Sequence, residues 1–181
     1  MKVLMVKRVI IYIDGSNLYF SFKKRFNKKI DIEKFCMKLV GNNELVKINY
    51  YIAPLNQETH PRQYSEQHKF FEELGKIKKL NIVFGRLEKR KRDGKSYYVE
   101  KASDVNLSLD LVLDAQKNLY DEAYLVSNDG DFYGAVKAAK DFGQEIVYVA
   151  IGTRKSVSHY LKKVASRTFY ITDKFILNCV L

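Results

Sequence analysis

The chain has 181 residues, 46% of them apolar, with 32 basic against 21 acidic side chains and a net charge of +11. That length suits a single domain able to bury roughly 70% of its unfolded surface without a staple, and the apolar share excludes disorder. The apolar runs are strand-length, which excludes a membrane span, and the positive balance favours a polyanion, nucleic acid before an anionic membrane surface.

Met1 to Ile13 carries Lys2, Lys7 and Arg8 beside an apolar run, but Asp14 interrupts it and no small-residue cleavage site follows. It reads as a first strand rather than a signal peptide, and the protein as cytoplasmic. Arg8 to Asp14 is predicted as a strand whose interior, Val9 to Ile13, is apolar throughout, the pattern of a parallel strand covered on both faces. Ser16 to Lys24 is predicted helical, with Ser16 or Asn17 near its N-cap. Asp31 to Val40 follows as a second helix, with Ile32, Phe35, Cys36 and Leu39 on one stripe. Leu45 to Ala53 alternates like a strand, and Pro54 and Pro61 bracket a loop. Arg62 to Lys78 is predicted helical, with Phe70, Phe71 and Leu74 inward.

Leu80 to Leu87 is predicted as a strand, followed by "EKRKRDGKSYYVEK", a basic β-hairpin around 84–100 turning at Asp93-Gly94. Ser103 to Leu119 is a long helix capped by Ser103. Glu122 to Asn128 is a strand and Asp131 to Phe142 a helix that Gly143 ends. Glu145 to Ile151 is a strand, Ser156 to Ala165 a helix, Arg167 to Thr172 a last strand, and a short helical tail closes the chain. Alternating strands and helices give an α/β domain with a mainly parallel sheet, one domain over 1–181. Cys36 and Cys179 lack zinc-ligand spacing and read as core residues.

Ligands of open parallel sheets bind beyond the strands' carboxyl ends. Asp14 and Asp129 each end an apolar strand, and Asp131 follows two residues later at a helix start. Asp104 opens the long helix and joins them if that helix starts on the same edge. Each acid alone has a plainer role: Asp14 as a helix cap, the others as first-turn acids. Together on one rim they would repel, which a hard cation such as Mg²⁺ or Mn²⁺ relieves. Asp110 and Asp114 lie deeper in the long helix and read as surface or supporting groups, Asp110 the more relevant. An acidic centre on a basic protein points to a metal-dependent nuclease: basic side chains hold the phosphate chain and the metal cuts it. His60, His68 and His159 are scattered and fall in no motif, so no histidine base is needed. No phosphate-cradling glycine motif is present, which argues against a nucleotide cofactor.

"YIDGSNLY", "EKASDVNLSLDLVLDA" and "AYLVSNDGDFYGAVKAAKDFGQEIVYVA" together resemble the NYN domain family, the LabA-like group within the PIN-like nuclease superfamily. The resemblance runs from about Arg8 to Ile176. It implies a Rossmann-like three-layer α/β/α sandwich, an acidic metal site and RNA cleavage. Asp14, Asp104, Asp129 and Asp131 match the family's acidic positions, as catalytic groups and metal ligands. Asn17 and Ser127 match supporting positions, and Lys101 matches a lysine expected to contact phosphate. The chain departs from the family at Asn128, where a small residue is usual, and in "KASD", where K-G-V-D is usual; both bear on loop geometry.

The expected partner is RNA, single-stranded or structured. The basic residues expected to bind it are Lys23, Lys24 and Arg25 in one cluster, and Arg86, Lys89, Arg90, Lys91, Arg92 and Lys95 on the hairpin, with Tyr97 and Tyr98 beside them as stacking groups. "TRKSVSHYLKK" is a third basic cluster. The residues leave two other functions open: a non-catalytic RNA-binding or regulatory module, and a structure-specific DNA nuclease. They leave open a homo-oligomer as well.

Overall fold

The computed structural model describes residues 5–92, 95–153 and 156–181. The Asp93-Gly94 turn lies outside the described residues, as do Arg154 and Lys155 of the third basic cluster. In chain order the elements are β1 (Arg8–Asp14), α1 (Gly15–Phe26), α2 (Ile32–Val40), β2 (Glu44–Ile52), α3 (Pro61–Gly75), β3 (Leu80–Phe84), β4 (Arg86–Arg92), β5 (Lys95–Lys101), α4 (Ser103–Gln116), β6 (Glu122–Val126), α5 (Tyr133–Asp141), β7 (Glu145–Ala150), α6 (His159–Val164), β8 (Arg167–Tyr170) and α7 (Asp173–Ile176). Among them no helix is long and apolar enough to cross a membrane.

Six strands pair in parallel in the order β3-β2-β1-β6-β7-β8, an α/β sheet with helices on both faces. β1 is central, which is why Val9 to Ile13 are apolar and wholly buried. Alternation splits their side chains between two cores. Val9, Ile11 and Ile13 join Phe35, Cys36 and Leu74 from α2 and α3; Ile10 and Tyr12 join Leu107, Leu111 and Val136 from α4 and α5. The chain winds from β1 outward to β3, then from β6 outward to β8 the other way. The strand order therefore reverses between β1 and β6, the switch point where such sheets open a crevice.

Four local differences from the sequence expectations have physical causes. The strand expected over 80–87 divides at Gly85. A Cβ there would collide with the Ser103 side chain and sit 2.7 Å from the Lys101 carbonyl, so only glycine lets the chain leave the sheet at that point. Of the two readings of the start of α1, the cap is Asp14, its plainer role, and not Ser16 or Asn17; it accepts a hydrogen bond from the Asn17 backbone. Ser103 does not cap α4; Ala102 occupies the cap with φ of 75°. Asp114 is not a surface group: it is buried between the Tyr12 hydroxyl at 2.7 Å and the Lys47 ammonium at 2.8 Å.

β4 and β5 form a separate two-stranded antiparallel ribbon. Its base is fixed beside the end of β2: the Gly85 N–H donates to the Ile52 carbonyl at 2.9 Å, and the Ala53 N–H to Glu100 at 3.0 Å.

Candidate metal centre

Asp14 ends β1 at the crevice, only 8% exposed. Its Oδ1 accepts from the Asn17 N–H at 3.0 Å and its Oδ2 from the Ser127 hydroxyl at 2.8 Å. Those bonds favour the carboxylate, but burial outweighs them, and the charges of Asp104 and Glu100 add to it. The acid is pushed up to about 6. Gly15 permits this approach, because a Cβ there would strike the Tyr50 ring and come within 2.8 Å of the Tyr51 carbonyl.

Ser127 follows β6. Its oxygen also accepts the Asp129 N–H at 3.1 Å, tying the second strand end to the first. Asp129 in turn accepts the Asp131 N–H at 2.9 Å, starting a 3-10 turn over Gly130–Phe132. Asn17 Oδ1 accepts the Asn128 N–H at 3.0 Å. The Asn128 side chain bonds the Ile151 carbonyl at 2.6 Å, the Ser21 hydroxyl at 3.2 Å and the Tyr148 hydroxyl at 2.7 Å. The residue that departs from the family's small one thus joins β6, β7 and α1.

Asp104 stands in the first turn of α4, largely exposed. Burial, then the charges of Asp129, Glu100 and Asp131, push its acid upward. Glu100 Oε1 accepts from the Ala53 N–H and, at 2.6 Å, from the Ser103 hydroxyl; Oε2 accepts from Ser16 at 2.8 Å.

A cavity of about 310 Å³ gathers Asp14, Glu100, Asp104 and Asp129, with Phe20 and the small polar Ser16, Asn17 and Ser21 completing the wall. Among the described residues none of these four carboxylates has a salt-bridge partner. Hard oxygen donors converging without a cation partner fit Mg²⁺ or Mn²⁺ in chemistry. Among the described residues no three acidic, His or Cys side chains stand at the spacing of a closed ion cluster.

Of the four expected acids, Asp14, Asp104 and Asp129 meet at the cavity, while Asp131 is exposed just outside it. Asn17 and Ser127 support Asp14 as described. Asp110 is elsewhere, accepting from the Tyr51 hydroxyl at 2.7 Å. Lys101 pairs across the ribbon with Arg86, and Glu100 with Leu87, so alternation sends Lys101 and Glu100 to opposite faces. Lys23 and Lys24 are exposed on α1, whereas Arg25 is paired to Asp173 at 2.8 Å. Arg86, Lys89, Arg90 and Lys91 are exposed on the ribbon, Arg90 contacting Glu88 at 3.1 Å. The side chains of Arg92 and Lys95 lie outside the described residues.

Sequence reasoning missed Glu100 and Phe20. Glu100 is legible in the sequence: the Asp93-Gly94 pair predicts a two-residue hairpin turn, and the register that follows sets a carboxylate opposite Leu87, four residues before Asp104, as the ribbon pairing has it.

The family model for the NYN domain matches residues 8–173. No curated protein matches the chain. Among solved structures, a protein of unknown function from Vibrio parahaemolyticus is similar, with a TM-score of 0.74, 20% sequence identity and coverage of 100% of both chains. That likeness is one of fold.

Proposed function

The chain belongs to the NYN domain family, within the PIN-like nucleases, and from that membership we propose that it is a divalent-metal-dependent endoribonuclease. The observation that carries the proposal is the gathering of Asp14, Glu100, Asp104 and Asp129 round one cavity at the strand-order reversal, without basic partners among the described residues.

Asp14, Asp104 and Asp129 are the side chains that would hold Mg²⁺ or Mn²⁺, with the charge of Asp131 close enough to act on Asp104. A bound cation would lower the pKa of a coordinated water and offset charge on the phosphorus oxygens. Asp14 is held in one orientation by Ser127 and Asn17, so its carboxylate faces the cavity without reorganising. Glu100 has its lone pairs directed at Ser16, Ser103 and Ala53, and positions the ribbon base rather than reacting. In hydrolysis the water's hydroxyl joins phosphorus, the bond to the leaving sugar oxygen breaks, and that oxygen takes the proton. The exposed histidines are not required. Lys23, Lys24 and the ribbon's Arg86, Lys89, Arg90 and Lys91 supply positive charge for the phosphate chain.

The open spacing of the carboxylates favours a second function, an RNA-binding module that does not cut. Cleavage of labelled single-stranded and structured RNA, with DNA as competitor, in Mn²⁺, Mg²⁺ or EDTA separates the two. Metal-dependent cleavage lost in both Asp14→Asn and Asp129→Asn is expected, with kcat down on the order of 10²-fold or more, the scale of removing one stabilising group from a reacting centre. RNA binding without cleavage by the wild type would select the binding module, and preferred cleavage of DNA would move the substrate.

A further inference from the structure

We propose that Phe20 is a base-stacking platform at the acidic cavity and that the bound strand continues along α1 towards Lys24, so that the segment of substrate at the site is unpaired. The proposal rests on the nucleic-acid substrate argued above and adds the conformation that the strand must have.

Phe20 shares the cavity wall with the four carboxylates, yet it is 68% exposed. The other apolar side of α1 is spent on the core, through Leu18 and Phe22. A single exposed aromatic is ordinary. Its surroundings are not: Ser16 lies four residues before Phe20 and Lys24 four after it, so the three stand one above another at about 6 Å per step. Ser16 grips Glu100 at 2.8 Å. The face of α1 therefore runs from acidic rim to ring to exposed cation. A nucleotide strand offers phosphate, base and phosphate in the same order.

Tyr19 packs edge-on against Phe20, with ring centroids 5.2 Å apart and planes at 76°, which restrains the ring. Lys23 lies over Tyr19 at 5.5 Å. Beside the Asp129–Asp131 turn, Tyr160 is also exposed, and Cδ2 of its ring would be 3.3 Å from a Cβ at Gly130. Rings with an open face stack on any base, whatever its identity. Bases inside a duplex have no free face to offer, and single strands do.

The test uses the full chain in EDTA, so that binding is read without cleavage. Affinity is measured by fluorescence anisotropy for a short single-stranded RNA and for the same sequence as a duplex, with a fluorescent purine analogue reporting stacking. The wild type is expected to prefer the single strand and to quench the analogue. Phe20→Leu is expected to weaken single-strand binding roughly tenfold, to remove the quenching and to leave duplex binding unchanged. Phe20→Trp should restore both, and Phe142→Leu, at the far end of α5, should behave as wild type. Wild-type affinity and quenching in Phe20→Leu, or equal affinity for the duplex, would overturn the proposal. If that happens while the wild type still cleaves RNA with metal, the nuclease function stands alone. A Phe20 effect on binding without any cleavage would reject the nuclease and keep the platform. No RNA binding in either form would remove both.

Discussion

Asp14 and Ala102 show how the site strains against the fold residue by residue. The folded-state acid of Asp14 lies at about 6 against an ordinary 3.8, so the native state binds its proton more tightly than the unfolded chain. This raised carboxyl favours folding below 3.8, and that contribution is lost as pH rises through about 6 in the absence of cation. The displacement corresponds to on the order of 3 kcal/mol. Asp14→Asn is therefore expected to be more stable than wild type in EDTA well above pH 6, and the difference to vanish well below pH 4, as read by thermal melts. Mg²⁺ should raise the Tm of the wild type and not of the variant. Ala102 holds φ at 75°, where a Cβ costs about 1–2 kcal/mol. Ala102→Gly removes that strain against a small entropic loss, so the Tm should rise by about 2 °C.

At the scale of elements, close backbone approach decides what each segment tolerates. Gly15→Ala is expected to destabilise by about 2 kcal/mol, because its Cβ meets the Tyr50 ring and the Tyr51 carbonyl. Gly134→Ala, in α5 with nothing within 4 Å, should be neutral or slightly stabilising. Chemical denaturation of the two variants checks the contrast. The same property separates what was legible in the sequence from what was not. β1 was readable to the residue, because a strand covered on both faces must be apolar along its length. The stripe of α2 was readable from its period. The end of β3 was not, since Gly85 answers to Ser103 and Lys101, partners distant in sequence. The cap of α4 has a related cause: Ser103 fits a cap by type, but Glu100 claims its hydroxyl and Ala102 takes the position. Asp131 is legible from its place two residues past the strand that ends at Asp129; it lies in the 3-10 turn over Gly130–Phe132, exposed at the edge of the cavity, where its charge acts on Asp104. Phe20 left no periodic signal, as it departs from the buried stripe of α1.

Across the whole molecule, the two ends of the sheet treat charge in opposite ways. Where the strands begin, Lys7 bridges Glu122 at 3.3 Å and Glu145 at 2.8 Å, Arg167 meets Glu122 at 3.0 Å, and Arg8 meets Asp121 at 2.7 Å. Burial would raise the acid of Glu122, but Arg167 and Lys7 hold it below its ordinary range. Where the strands end, the carboxylates of the cavity face each other. The length of β6 separates the two ends by roughly 16 Å, and they share no side chain. Arg167→Ala should cost about 1–2 kcal/mol. Combined with Asp14→Asn, the effects on stability should add to within about half a kcal/mol, which a double-mutant cycle measures.

The buried acid at the end of β1 has one more consequence, for how the sequence persists over generations. A single base change can turn Asp14 into Asn, and the product would fold at least as well in the absence of cation. Drift constrained only by stability would accept that change and have no cause to reverse it. The integrity of the sheet therefore does not require a charge at this position, and only a use for that charge at the cavity would select for it.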